Sequence, residues 1–167
     1  MGRINKVDFF CGAFLSYLIT NGIEPTLFDA GDKSKVVKFT LRNTDYNAYV
    51  KYVSTSSKGK ISGKEHTLWS INFSDAENEF INSRFEDCCR ENIVVLVCGN
   101  ENLRDTCLAV LSLNEAKTCL GEDNKNTQRR ISVKHSKGGR YLSCYGTALP
   151  DTRAIKLKYN YDEYFGF

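Results

Sequence analysis

Apolar positions recur at helical spacing at Phe10, Ala13, Phe14, Tyr17 and Leu18, and Asn21-Gly22 supplies a stop, which predicts a helix over about 6–21. Glu24 to Lys33 reads as loop, because Pro25, Gly31 and the flanking aspartates disfavour regular structure. Val36–Arg42 and Asn47–Val53 are rich in β-branched and aromatic residues and predict two paired strands joined by Asn43-Thr44-Asp45. Ser54 to Glu65, rich in Ser, Gly and Lys, predicts a mobile basic loop, and the alternating Leu68–Phe73 predicts a third strand. Ser74 with Glu77 forms a capping box, in which the serine oxygen takes an orphan N–H and the glutamate reaches back. Phe80, Ile81, Phe85 and Cys88 form the apolar face of the helix that follows.

The run Ile93–Cys98 is apolar without alternation, which predicts a strand buried on both faces. Cys107–Leu111 predicts another strand, and Ser112 with Glu115 caps a short helix that stops at Leu120-Gly121. Arg130–His135 and Arg140–Tyr145 predict a hairpin around Ser136-Lys137-Gly138-Gly139. The order α-β-β-β-α-β-β-α-β-β predicts an α/β (α+β) domain: a central mixed sheet of about seven strands flanked by about three helices. Residues 1–98 form its core, and residues 99–167 add a strand-helix-hairpin layer and an aromatic tail.

Composition narrows this picture. A chain of 167 residues with 41% apolar and 26% charged residues suits one globular domain. No apolar run approaches the ~20 residues that span a bilayer, so no membrane is expected. The start, basic and then apolar over Phe9–Ile19, is interrupted by Asp8 and ends in a helix stop, so it reads as a helix rather than a signal peptide. Seven cysteines without a Cys-x-x-Cys pair predict unbridged thiols in a reducing cytoplasm. On one helix face, Cys88 and Cys89 cannot supply two ligands of a tetrahedral zinc, and neither His66 nor His135 has ligand spacing to a cysteine. No metal and no cofactor is therefore expected.

Over residues 6–98 the order helix, three-strand meander, helix, strand resembles the PD-(D/E)XK restriction-endonuclease-like superfamily. In that family an acid on one strand and an acid-x-Lys triplet on the next hold divalent ions, which activate water. Lys51 matches the family's lysine, but Tyr49 stands where its acid would be, and the strand Val36–Leu41 contains no acid. The resemblance thus implies a nuclease-like core that has lost its carboxylates and serves in binding. The alternative is a Mg²⁺-dependent nuclease with a rearranged site around Asp32, Asp45 and Lys51.

Two further features bear on binding. Lys58, Lys60 and Lys64 in one loop, and Arg129, Arg130, Lys134, Lys137 and Arg140 around the late hairpin, are candidates for phosphate contacts, with tyrosines interleaved to stack on bases. The net charge of +3 is low for a dedicated nucleic-acid binder. Between Asp75 and Glu91, six acids against two bases leave −4, a face of opposite sign that invites a protein partner. The tail residues Tyr159, Tyr161, Tyr164 and Phe165 are candidate partner contacts, or else a strap on the protein's own core. These features suit an accessory protein, inhibitory or defence-related, that binds a protein, a nucleic acid, or both.

Overall fold

The computed structural model describes residues 2–29, 34–103, 106–122 and 128–167. The apolar run does form a strand buried on both faces, and it organises the molecule: β6 (Glu91–Cys98) sits inside a five-stranded sheet with β1 (Thr26–Asp29), β2 (Ser34–Leu41), β3 (Thr44–Val53) and β7 (Cys107–Ser112). The spatial order is β1-β2-β3-β6-β7, with β6 parallel to β3 and every other pair antiparallel. Ile93, Val95 and Val97 point to one side, where Phe10, Phe14 and Leu18 of α1 (Lys6–Thr20) cover them. Val94, Leu96 and Cys98 point to the other side and pack toward a second sheet.

That second sheet corrects the expectation of a single sheet of about seven strands. Five strands, in the order β10-β9-β8-β5-β4, form a separate layer: β4 (Ser57–Ile61), β5 (Lys64–Phe73), β8 (Arg129–Ser136), β9 (Tyr141–Gly146) and β10 (Ile155–Lys158). All its pairings are antiparallel. Trp69, Ile71, Phe73, Ile131, Val133 and Leu142 fill the space between the layers. Two helices close the sides of that core, α2 (Asp75–Ser83) through Ile81 and α3 (Leu113–Leu120) through Ala116, Cys119 and Leu120. Both capping boxes read from the sequence are present: Ser74 and Glu77 on α2, Ser112 and Glu115 on α3. A fourth, short helix, α4 (Asp162–Phe165), ends the chain.

Local corrections follow from turn chemistry. The β2–β3 turn is Arg42-Asn43, both at positive φ, so Thr44 and Asp45 belong to β3. The expected loop before β2 contains the edge strand β1. The segment expected as a mobile loop is a hairpin: Ser62 (φ 50°) and Gly63 (φ 77°) turn the chain between β4 and β5. The helix after Ser74 ends at Ser83, so Cys88 lies beyond it in a turn and is exposed.

The tail is a strap on the protein's own core. Phe165 is 3% exposed, among Phe14, Phe39 and Tyr46. Tyr161 packs edge-on against Tyr17, whose hydroxyl donates to Asp162 at 2.9 Å. Arg42 adds a hydrogen bond to the Gly166 carbonyl. Phe165 and Tyr161 are thus engaged within the fold, and Tyr164 is 38% exposed.

Candidate functional site

Two hairpins that are far apart in sequence end side by side. β5 pairs with β8 in the register His66↔Ser136 and Thr67↔His135, and the Lys137 N–H donates to the Glu65 carbonyl at 2.9 Å. The β4–β5 hairpin and the β8–β9 turn therefore emerge at the same end of the second sheet. Gly138, at φ 75°, gives the second turn its left-handed step. Between them lies a cleft of about 590 Å³, bordered by Lys58, Lys60, Lys137, both histidines and Tyr159. That volume falls in the range typical of small-molecule sites. The Trp69 indole N–H donates to the Gly99 carbonyl at 2.7 Å, and the Gly99 N–H donates to Val53, which ties this end to the tips of β3 and β6.

The cleft is basic. Three lysines face one carboxylate, Glu65. Lys137 donates to Glu65 at 2.9 Å; this contact, reinforced by Lys58, holds the Glu65 carboxyl below its usual range and raises the Lys137 ammonium. Both partners are well exposed, so the pair contributes little to stability and can yield to a competing anion. His135 stacks flat on Tyr159, with ring centroids 3.9 Å apart, and its Nε2 lies 2.9 Å from the Gly139 carbonyl, which requires the Nε2–H tautomer. The His66 ring lies over Gly59, where a Cβ would come within 2.7 Å of it, and its buried Nδ1 has no hydrogen-bond partner among the described residues.

The sequence-predicted cations divide. Lys58, Lys60 and Lys137 meet at the cleft. Lys64, Arg130 and Arg140 are exposed but do not border it. Lys134 donates to Asp151 at 2.5 Å and lies over the Tyr145 ring. Arg129 is removed from the candidates. It is buried, and its guanidinium donates to the Leu120 and Gly121 carbonyls at 2.7 Å each, capping the C-terminus of α3. The histidines, Trp69 and Gly59 were not expected at a site. Gly59, His66 and His135 each lie within two residues of a lysine in the sequence, and Trp69 has no such signal. A second cleft, of about 460 Å³ beside α2, is bordered by Asp75, Glu79 and Glu122 with Arg129, so acid and base occupy different surfaces.

The residues of the nuclease alternative are dispersed. Asp45 and Lys51 are six positions apart on β3, about 20 Å at the usual strand rise. Asp45 accepts from the Thr40 hydroxyl at 2.5 Å instead. Asp32 lies outside the described residues. Lys51 is buried and paired with Glu77, beneath the Phe73 ring, and the Tyr49 hydroxyl also donates to Glu77 at 3.3 Å. Burial pushes the Glu77 carboxyl up, and hydrogen bonds from Lys51 and the Ser74 backbone outweigh this and hold it below its usual value. Glu77 thus caps α2 and neutralises Lys51 at once.

Among the described residues no helix is long and apolar enough to cross a membrane. No protein-family model matches this chain, and neither a curated protein nor a solved structure resembles it significantly.

Proposed function

We propose that this chain is a non-catalytic binding protein whose ligand is a nucleic acid, held by its phosphates across the two-hairpin end of the second sheet. The observation that carries this reading is the convergence of Lys58 and Lys60 with Lys137 on one cleft. Lysine ammoniums at the rim supply sequence-independent phosphate contacts, and exposed Lys64 and Arg140 extend the positive field. The Tyr159–His135 stack at the cleft offers a π contact to an unstacked base, which favours a single strand. The acidic face of α2 is the surface for a protein partner in an accessory or inhibitory role.

A second reading keeps the nuclease. It draws on the first sheet: α1, the antiparallel strands β1-β2-β3 and, after β4 and β5 (which holds the third strand of the expected meander) have joined the second sheet, α2 and a β6 parallel to β3, with the buried Lys51–Glu77 pair at the matching lysine. One set of assays separates the two. Charge reversal on either hairpin, Lys58→Glu with Lys60→Glu, or Lys137→Glu alone, should weaken retention of a labelled single strand while folding is preserved. Incubation with single-stranded and supercoiled DNA and Mg²⁺ should leave both intact. Metal-dependent cutting abolished by Lys51→Met overturns the non-catalytic reading, and retention unchanged by both reversals overturns the cleft.

A further inference from the structure

Beyond the end of α2 the chain makes a turn, Asp87 to Arg90, whose two central residues are Cys88 and Cys89. The sequence suggests a helix here, on which adjacent side chains diverge. In the turn they converge: the two Sγ atoms are 3.8 Å apart, and a carboxylate oxygen of Asp87 lies within 4.8 Å of both. Two metal–sulfur bonds of about 2.3 Å at a tetrahedral angle place their sulfurs about 3.8 Å apart. The thiols therefore already stand at the separation that one ion demands.

The turn is held in this shape from outside. The Asn92 side chain accepts the Asp87 N–H at 2.9 Å and donates to the carbonyls of Asp87 and Arg90 at 2.8 and 3.0 Å. Asn47, buried on β3, donates to Asn92 and to the Phe85 carbonyl. The Asp87 carboxylate accepts the Cys89 N–H at 3.0 Å through one oxygen and is flanked by Lys38 and Arg90 at 3.5 and 3.4 Å on the other. The other five cysteines are buried. Burial pushes the thiols of Cys11 and Cys119 up to about 11 and about 12, and Cys89 is raised by its Cys88 and Asp87 neighbours, so access to solvent rather than acidity sets the exposed pair apart.

We infer that Cys88, Cys89 and Asp87 form a binding site for a thiophilic divalent ion, zinc or cadmium, with water completing the coordination. Each metal–sulfur bond forms as its thiol gives a proton to solvent, so one ion releases two protons, and Asp87 binds as the carboxylate it already is. With both thiols protonated, Asp87 against Lys38 and Arg90 leaves the empty site at +1; the two protons lost on binding take the protein groups to −1, so affinity rises with pH. Soft sulfur donors select zinc and cadmium over magnesium.

The test is titration of the reduced full-length protein with Cd²⁺, read by thiolate-to-metal charge-transfer absorption, and with Zn²⁺ in competition with a chromophoric chelator. One ion per chain is expected. Cys88→Ser and Cys89→Ser should each abolish the band, and Asp87→Asn should weaken binding about tenfold or more. Cys11→Ser should change nothing. Both cysteines are exposed, so their serine variants keep the fold, which circular dichroism checks. No charge-transfer band, an undiminished band in the serine variants, or half an ion per chain with metal-bridged dimers would each overturn the site.

Discussion

Replacing Lys51 with methionine isolates the buried ion pair between β3 and α2. Methionine keeps most of the aliphatic stem beneath Phe73 and removes the ammonium from Glu77. The Lys51 and Glu77 side chains are 4% and 16% exposed, so the surviving carboxylate is left largely dehydrated. Breaking a buried pair by removing one partner costs about 3–5 kcal/mol. Glu77 retains the Ser74 N–H and some solvent, which places the expected loss at the lower end, about 3 kcal/mol at pH 7. For a chain of this length that lowers Tm by about 6–12 °C.

The loss has a pH signature. In the native protein the Glu77 carboxyl is held below its usual value, so its contribution is present at neutral pH and disappears as pH falls through the folded pKa. In the variant the carboxyl is buried without its cation and its pKa rises, so protonation on acidification relieves the penalty. The stability difference between the two proteins is therefore largest near neutrality and shrinks toward pH 4. Urea unfolding at a series of pH values measures it. A difference below about 1 kcal/mol at pH 7, or one that does not change with pH, refutes the reasoning.

Three other outcomes test the packing. Phe165→Ala should cost about 3–5 kcal/mol in urea unfolding, because the side chain fills the core beneath α1 rather than meeting a partner. Gly146→Ala should cost about 2–3 kcal/mol, since its Cβ would lie 2.4 and 2.5 Å from the Arg130 and Cys119 carbonyl oxygens, backbone atoms that cannot swing aside. Arg129→Met should lower thermal stability by about 2–3 kcal/mol by leaving the Leu120 and Gly121 carbonyls without their buried donor, yet leave nucleic-acid retention by the folded protein unchanged.

The legible parts of the fold were those with local causes. The capping boxes at Ser74 and Ser112 identify themselves by a serine and a glutamate three residues on, and continuous apolarity marked β6 as covered on both sides. The division into two sheets was not legible, because alternation tells that Trp69, Ile71 and Phe73 share a buried face but not which strand lies beside them. β4 carries no apolar alternation, and only Ser62-Gly63 marks its hairpin. Apolar spacing that runs on through Phe85, itself buried, disguised the end of α2 and hid the exposure of Cys88. At the candidate site, both groups of lysines were visible as charge, but their meeting depends on the β5–β8 register, a non-local fact. Arg129 looked like one more surface cation because nothing local announces that it caps α3.

The salt dependence of single-strand binding tests the shared basic cleft most directly. Each phosphate contact contributes about −0.7 to the slope of log affinity against log salt, so three lysines contribute about −2, roughly a 20-fold loss between 50 and 200 mM. The folded triple variant Lys58→Ala, Lys60→Ala, Lys137→Ala should bind more weakly, with a slope shallower by about two. A variant whose affinity and slope match those of the native protein would contradict the account.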